Sequence, residues 1–263
     1  MNYKQIKVNS LINKITKKDT LFGGDYTIDP YQNCEFGCQY CDSSLDKTIY
    51  IKINAVEILK EELINYNRGN IIIGSVHDPY QKVEISTKIT RELLKIISES
   101  KFSCHILTKS DLVLRDMDIL KKIKKSLVTI SLSSMDDYVS KIFEKNAPLP
   151  SIRLKTVKKL SDAGINVGIA NIPILPYITD EEIENIINTA KKNCAKFFLY
   201  KHLELKGDMK LCFFNIIKNY YPPLIEQFNK LYKDSYLPKI EYISKLNKKI
   251  EELCNIYELD DKV

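Results

Sequence analysis

The sequence predicts an α/β protein: a partial barrel of six strand-helix units followed by a mostly helical C-terminal segment. Three observations predict it. Short β-branched or aromatic runs alternate with longer amphipathic patterns. The runs recur every few tens of residues, the spacing of parallel strands joined by right-handed crossover helices. Polar residues stand where the apolar runs stop, which is where folds of this kind carry their active sites. Six units fall short of the eight that close a complete barrel.

The first strand is short, near Asp25 to Ile28, and the next is the isoleucine run Ile71 to Gly74. Ser103 to Thr108, Leu127 to Leu132, Ile165 to Ile172 and Ala195 to Tyr200 continue the series. Between them, helical periodicity covers Ala55 to Tyr66, Thr87 to Ser100, Arg115 to Lys125, Asp136 to Phe143, Ser151 to Ala163 and Asp180 to Asn193. Gly164 is placed to end the fifth of these as a C-cap and Asp180 to start the sixth as an N-cap. From Lys206 to Val263 the pattern is mostly helical, with a break at Tyr220-Tyr221-Pro222-Pro223. The expected organisation is an N-terminal extension over 1–24, a barrel over 25–205 and a helical extension packed on it over 206–263.

The chain has 263 residues, 44% of them apolar, enough to bury a full core. No apolar run approaches the roughly 18 residues of a membrane span, and Met1 to Lys18 is polar and lysine-rich, without a signal peptide's apolar centre. A cytoplasmic protein with no membrane partner is expected. Seven cysteines is an odd number, which in a reducing compartment means thiols or metal ligands. The net charge of +6 comes from lysine, since Arg68, Arg91, Arg115 and Arg153 are the only arginines. That charge suits a nucleic-acid partner, and a lysine-rich solvated surface equally well.

Cys34, Cys38 and Cys41 follow the first strand in a CxxxCxxC run. Three thiolates without a fourth leave one position of a metal centre open to substrate or cofactor, as catalytic zinc sites also do. A structural zinc site with His77 as fourth ligand is the alternative, within a zinc-stabilised nucleic-acid-binding module. Cys104, Cys194, Cys212 and Cys254 lie far apart among apolar residues and read as core or surface thiols. The strand ends add Ser75, the run Thr108-Lys109-Ser110, Ser131 and Ser133, Asn171, and Lys201-His202. Asp78 lies in an Asp-Pro turn, where a carboxylate commonly satisfies backbone amides. Arg153, at the start of a helix, has the planar fork that suits bidentate pairing with a carboxylate such as Glu144. His105 and His202 read as packing or polar-surface histidines.

The CxxxCxxC run after a first strand, with Tyr40 before its last cysteine, resembles the radical S-adenosylmethionine (SAM) superfamily. Within it, the segments Asp29-Pro30-Tyr31-Gln32-Asn33-Cys34, Gly74-Ser75-Val76-His77-Asp78-Pro79-Tyr80-Gln81, Leu107-Thr108-Lys109-Ser110 and Leu114-Arg115-Asp116 resemble the branch related to spore photoproduct lyase. Phe143-Glu144, Ala147-Pro148, Arg153, Leu160 to Ile165 and Pro173-Ile174-Leu175-Pro176 continue the similarity, which covers roughly residues 25 to 185.

The resemblance implies a partial barrel of the radical SAM type. It implies that Cys34, Cys38 and Cys41 hold one 4Fe-4S cluster whose fourth iron chelates SAM. A small electron donor such as flavodoxin or ferredoxin would reduce the cluster, and SAM would be cleaved to methionine and a 5'-deoxyadenosyl radical that abstracts hydrogen from a substrate. It also implies SAM contacts at Tyr40, Ser75, Lys109, Ser131, Ser133, Arg153 and Asn171, with Lys109 on the SAM carboxylate and Ser131 favoured over Ser133. The match departs from the lyase at two positions. The lyase's hydrogen-donating cysteine after the second strand is Ser75 here, whose O–H bond is too strong for that role. The tyrosine after its last cluster cysteine is Asp42. The implied reaction is therefore hydrogen abstraction from an unidentified substrate, with lyase-like nucleic-acid repair as the alternative.

Overall fold

The structure, a computed structural model, describes residues 1–263, the side chain of Ser44 excepted. Its strands are β1 (Asn2–Ile6), β2 (Asn13–Lys14), β3 (Tyr26–Ile28), β4 (Tyr31–Gln32) and β5 (Thr48–Lys52), then β6 (Asn70–Ile73), β7 (Ser103–Thr108), β8 (Leu127–Ser131), β9 (Asn166–Ile174) and β10 (Phe198–His202). The helices of the barrel are α1 (Ala55–Glu62), α2 (Glu84–Thr87), α3 (Ile89–Ser98), α4 (Met117–Leu120), α5 (Asp137–Phe143), α6 (Pro150–Asp162) and α7 (Ile183–Lys192). Three more, α8 (Asp208–Tyr220), α9 (Ile225–Leu231) and α10 (Ile240–Ile256), form the C-terminal region.

The main sheet runs β10-β9-β8-β7-β6-β3-β2, and every pair in it is parallel except β2 with β3. The six parallel strands are those of the expected (βα)6 partial barrel. Ile71, Ile72 and Ile73 of β6 are all buried, as a strand covered on both faces requires. Gly168 lets β9 approach the Phe197 ring, which a Cβ there would meet at 2.2 Å. Helix α3 turns Leu93, Leu94 and Ile97 to the core, and α7 turns Ile183, Ile186, Ile187 and Ala190.

A second, smaller sheet lies outside the barrel. β1 pairs in parallel with β5, and β4 pairs antiparallel with the other edge of β5. Residues 1–24 thus contribute strands to both sheets. The C-terminal helices cover a separate apolar cluster in which Phe143 stacks on Phe213, and Phe228 stacks on Tyr232. The chain end returns to the barrel, where the Phe198 N–H donates to the Asp260 carbonyl at 2.8 Å.

Four local expectations need correction. The pattern over Thr87 to Ser100 splits, because Lys88 takes a left-handed conformation (φ 53°) between α2 and α3. The buried Glu84 carboxylate then caps α3, accepting from the N–H groups of Thr90 (3.0 Å) and Arg91 (3.3 Å). The pattern over Arg115 to Lys125 yields only the single turn of α4, preceded by a 3-10 segment over Asp111–Asp116. Asp180 does not cap α7, which starts at Ile183 after Glu182; its carboxylate instead accepts from the Tyr242 hydroxyl at 2.5 Å. Asn171 is not at a strand end, since β9 continues to Ile174. Gly164 does follow α6 with φ 80°, and the Ile165 N–H reaches back to the Leu160 carbonyl.

Candidate functional site

The cysteine loop leaves the barrel after β3 and β4 and is pinned from three directions. Gly37 takes φ 64° between Cys34 and Cys38, a conformation that spares the loop a side chain facing Asn146. Glu35 is buried, and its carboxylate accepts from the Tyr3 hydroxyl (2.5 Å) and the Val83 N–H (2.7 Å). Its N–H donates to Gln81 Oε1 at 2.9 Å. From the third side, Asn146 donates to the carbonyls of Glu35 and Phe36, and Gln39 N–H donates to the Phe143 carbonyl at 2.8 Å. The backbone of Cys38 forms a bridge with that of Glu144.

This loop walls one side of a cavity of about 310 Å³ at the carboxyl ends of the barrel strands. Cys34, Cys38 and Cys41 all line it, with Tyr40 between them, and so do Ser75, Lys109 and Ser131. Gly74, with φ 89°, makes the turn that presents Ser75; a Cβ there would lie 2.4 Å from Pro79 and 2.5 Å from the Leu107 carbonyl. Across the cavity stand Lys201, His202 and Glu204. Glu204 is ion-paired to Lys201 at 2.6 Å and to Lys206 at 2.5 Å.

Charge is concentrated behind the cysteines. Asp78 is half-buried in the turn after β6 and lines the cavity, where desolvation pushes its carboxyl up against the pull of its donors. Those donors are the Lys109 N–H (2.7 Å), the Thr108 hydroxyl (2.7 Å) and the Tyr80 N–H (2.9 Å), so Asp78 ties the β6 turn to the end of β7. Burial works against the Lys109 ammonium, but Cys38 and Glu144 outweigh it and the lysine is held above its ordinary value. Burial likewise opposes the Glu144 charge, yet Arg153 and then Lys109 bring that carboxyl down to about 2. Burial pushes the thiols of Cys34 and Cys38 up to about 12, reinforced at Cys34 by Asp78 and opposed at Cys38 by Lys109.

Three cysteine thiols line the cavity together, and a 4Fe-4S cluster takes one thiolate on each of three irons, so the donor set fits such a cluster. The buried thiols of Cys34 and Cys38 favour a proton or a metal over bare charge. His77 lies against Asp29 and, among the described residues, is not one of those lining the cavity.

Three of the expected SAM contacts sit behind the cavity wall instead of on it. Arg153 is fully buried; its Nε donates to the Pro148 carbonyl (2.7 Å), its Nη1 to the Ser131 carbonyl (3.1 Å), and its Nη2 lies 2.5 Å from Glu144 Oε2 in a charge contact. Ser133 is buried between Tyr40 and Glu144. Asn171 is buried and donates to the carbonyls of Leu132 (2.7 Å) and Ser133 (3.2 Å), while its Oδ1 has no partner among the described residues. These three shape the exit of β8. His105 is buried, 2.9 Å from the Phe22 carbonyl and 2.6 Å from the Thr129 hydroxyl. Phe22 and Glu204 line the cavity without any advance signal, since both lie in segments with no periodic pattern.

Comparison with known proteins places this geometry. The sequence profile of the Radical SAM superfamily matches residues 28–190. An uncharacterized protein of Methanocaldococcus jannaschii is 30% identical over 244 residues, covering 88% of this chain and 91% of the relative. An uncharacterized protein of Mycobacterium tuberculosis is 24% identical over 280 residues, covering 98% of this chain and 82% of the relative. Among solved structures, spore photoproduct lyase complexed with dinucleoside spore photoproduct superposes with TM-score 0.74 at 15% identity, over 97% of this chain and 79% of that one. Streptococcus suis SuiB bound to S-adenosylmethionine superposes with TM-score 0.63 at 16% identity, over 89% and 49%. Both superpositions describe a shared fold.

Proposed function

We propose, on the premise that this chain belongs to the radical SAM superfamily, that it cleaves SAM reductively and uses the resulting radical to abstract hydrogen from a substrate held at the cavity mouth. The observation that carries the reading is the convergence of Cys34, Cys38, Cys41 and Lys109 on one cavity at the strand ends. The cysteines would hold one 4Fe-4S cluster, which supplies the electron that breaks the carbon-sulfur bond of SAM.

The remaining residues bind and exclude water. Lys109 meets the SAM carboxylate as a charge-assisted pair in a site of low dielectric. Ser75 and Ser131 supply hydroxyls to its methionine or ribose portions. Tyr40 shields the cluster loop and offers its backbone to the adenine. Arg153, Ser133 and Asn171 support this wall from behind. The barrel over 25–205 carries the chemistry, with 1–24 and 206–263 packed around it. Cys41, the least buried of the three cluster cysteines, marks the side at which a flavodoxin or ferredoxin would deliver the electron. All seven cysteines are free, which suits a reducing, cytoplasmic setting. No helix of the described residues is long and apolar enough to cross a membrane.

Anaerobic reconstitution tests the reading: the protein should take up about four irons and, once reduced, convert SAM to 5'-deoxyadenosine. Iron uptake without any cleavage would overturn it. Oligonucleotides carrying photoproducts should not be converted to repaired product, because Ser75 cannot return a hydrogen to the product radical that follows abstraction. Release of repaired thymines would favour the repair reading instead.

A further inference from the structure

We infer that Glu144 is a positioning residue for SAM: one buried carboxylate that fixes both Tyr40 and Lys109 on the cavity wall and leaves the lysine with unused donors for the SAM carboxylate. The inference rests on the proposed SAM chemistry and concerns a residue that does not itself line the cavity among the described residues.

Glu144 is 2% exposed and follows α5, with its backbone already in register with Cys38 of the cluster loop. Its two oxygens serve different partners. Oε2 is taken by Arg153 Nη2 at 2.5 Å and lies 3.4 Å from the Ser140 hydroxyl. Oε1 accepts from the Tyr40 hydroxyl and from Ser133 Oγ at 3.2 Å, and Lys109 Nζ stands 3.8 Å from it. Charge-assisted hydrogen bonds run at about 2.7–2.9 Å, so the lysine is held by field and not by a hydrogen bond. Its ammonium carries three donors. The ammonium also stands over the face of the Tyr40 ring, 5.9 Å from its centroid, and feels the charge of Asp78, whose carboxylate is bound to the Lys109 backbone N–H and not to its Nζ.

The arithmetic of the group explains the arrangement. Two cations, Lys109 and Arg153, share one carboxylate. Arg153 spends its fork on Glu144 and on two backbone carbonyls, so it holds Glu144 still. Lys109 is the member of the pair that reaches the cavity, and the three donors of its ammonium are unspent. Asp78, the second carboxylate at this end of the cavity, accepts at Oδ1 from the Tyr80 N–H and the Thr108 hydroxyl and at Oδ2 from the Lys109 backbone N–H, so it leaves the donors of Nζ unspent. Without Glu144, Lys109 would be free to swing away from the wall.

The test uses the whole chain with its cluster reconstituted. Glu144→Gln keeps the shape but strands Arg153, so the double variant Glu144→Gln/Arg153→Met is made beside it to remove the buried pair together. Both are compared with Lys109→Met, with Glu144→Gln/Lys109→Met, and with the triple variant. SAM binding is followed by titration and by the change SAM induces in the EPR spectrum of the reduced cluster. The expected result is unchanged iron content, SAM affinity lower by roughly tenfold or more in the double variant, and little further loss when Lys109→Met is added, since both changes remove one interaction. Wild-type SAM affinity and EPR response in an iron-replete double variant would overturn the inference alone. Fully additive losses would also overturn it, because they assign Glu144 a role separate from Lys109. If the wild-type protein, with its iron in place, gives no SAM response, the proposed function fails and the inference falls with it.

Discussion

Two buried charge groups flank the cysteine loop, and they differ in balance. On the outer side, Arg91 and Arg115 face the fully buried carboxylates of Glu84 and Asp116, at 2.6 Å for Arg91–Asp116 and Arg115–Glu84 and 2.8 Å for Arg115–Asp116. The Tyr31 hydroxyl donates to Glu84 and that of Tyr80 to Asp116. With the exposed Asp118, which Arg91 also binds at 2.8 Å, two cations meet three anions, and each is hydrogen-bonded. On the inner side, Lys109 and Arg153 share Glu144, and Lys109 reaches the cavity at a contact too long for a hydrogen bond. A closed group of charges specifies packing. An ammonium that reaches a cavity with its donors unspent is a candidate contact for an anionic ligand.

The comparison can be broken by substitutions on each side. The largest effect on activity is expected from Cys38→Ala, which should abolish cluster assembly and SAM cleavage while the circular dichroism of the purified protein stays that of the parent. The largest effect on stability is expected from Asp116→Ala. It leaves Arg91 and Arg115 short of a buried partner and should cost about 3–5 kcal/mol, read as a lowered Tm or as insoluble protein. Lys109→Met should do the opposite of Asp116→Ala: Tm held or raised, iron retained, SAM affinity weakened by about 1.5–3 kcal/mol. If Lys109→Met unfolds the protein and leaves SAM binding intact in the surviving fraction, the distinction between the two groups fails. Arg115→Lys should cost about 1–2 kcal/mol of stability, because an ammonium cannot serve Glu84 and Asp116 with a planar fork. The smallest effect is expected at Lys158, whose exposed pair with Asp162 at 2.5 Å is screened by water; Lys158→Gln should leave both Tm and activity unchanged.

How much of this was legible beforehand depends on the range of the interaction involved. That Cys34, Cys38 and Cys41 share one cavity was legible because a short loop brings its own side chains together. The strand ends were legible because apolar runs stop where the sheet stops, and this located Ser75, Lys109 and Ser131 at the cavity. Ser133 and Asn171 carry the same local signature, yet they face inward, one toward Glu144 and the other toward the carbonyls leaving β8. Their direction depends on where β9 ends, and it runs three residues past Asn171. In the small sheet, β1 has four of its five residues exposed and no apolar alternation to read, whereas β5 does alternate, burying Ile49 and Ile51, and lies outside the series of strand-helix units.

By itself, the sequence determined the barrel class, the cluster loop and the positions from which side chains reach the cavity, because each follows from periodicity or spacing over a few residues. Only the tertiary structure decided which cations are spent and which is free. The sequence offers Arg153 as a partner for Glu144 and both Arg153 and Lys109 as SAM contacts, and nothing in it links Lys109 to Glu144. Charge pairing is settled in three dimensions, by which donors a buried carboxylate can reach, and Glu144 reaches Arg153 first.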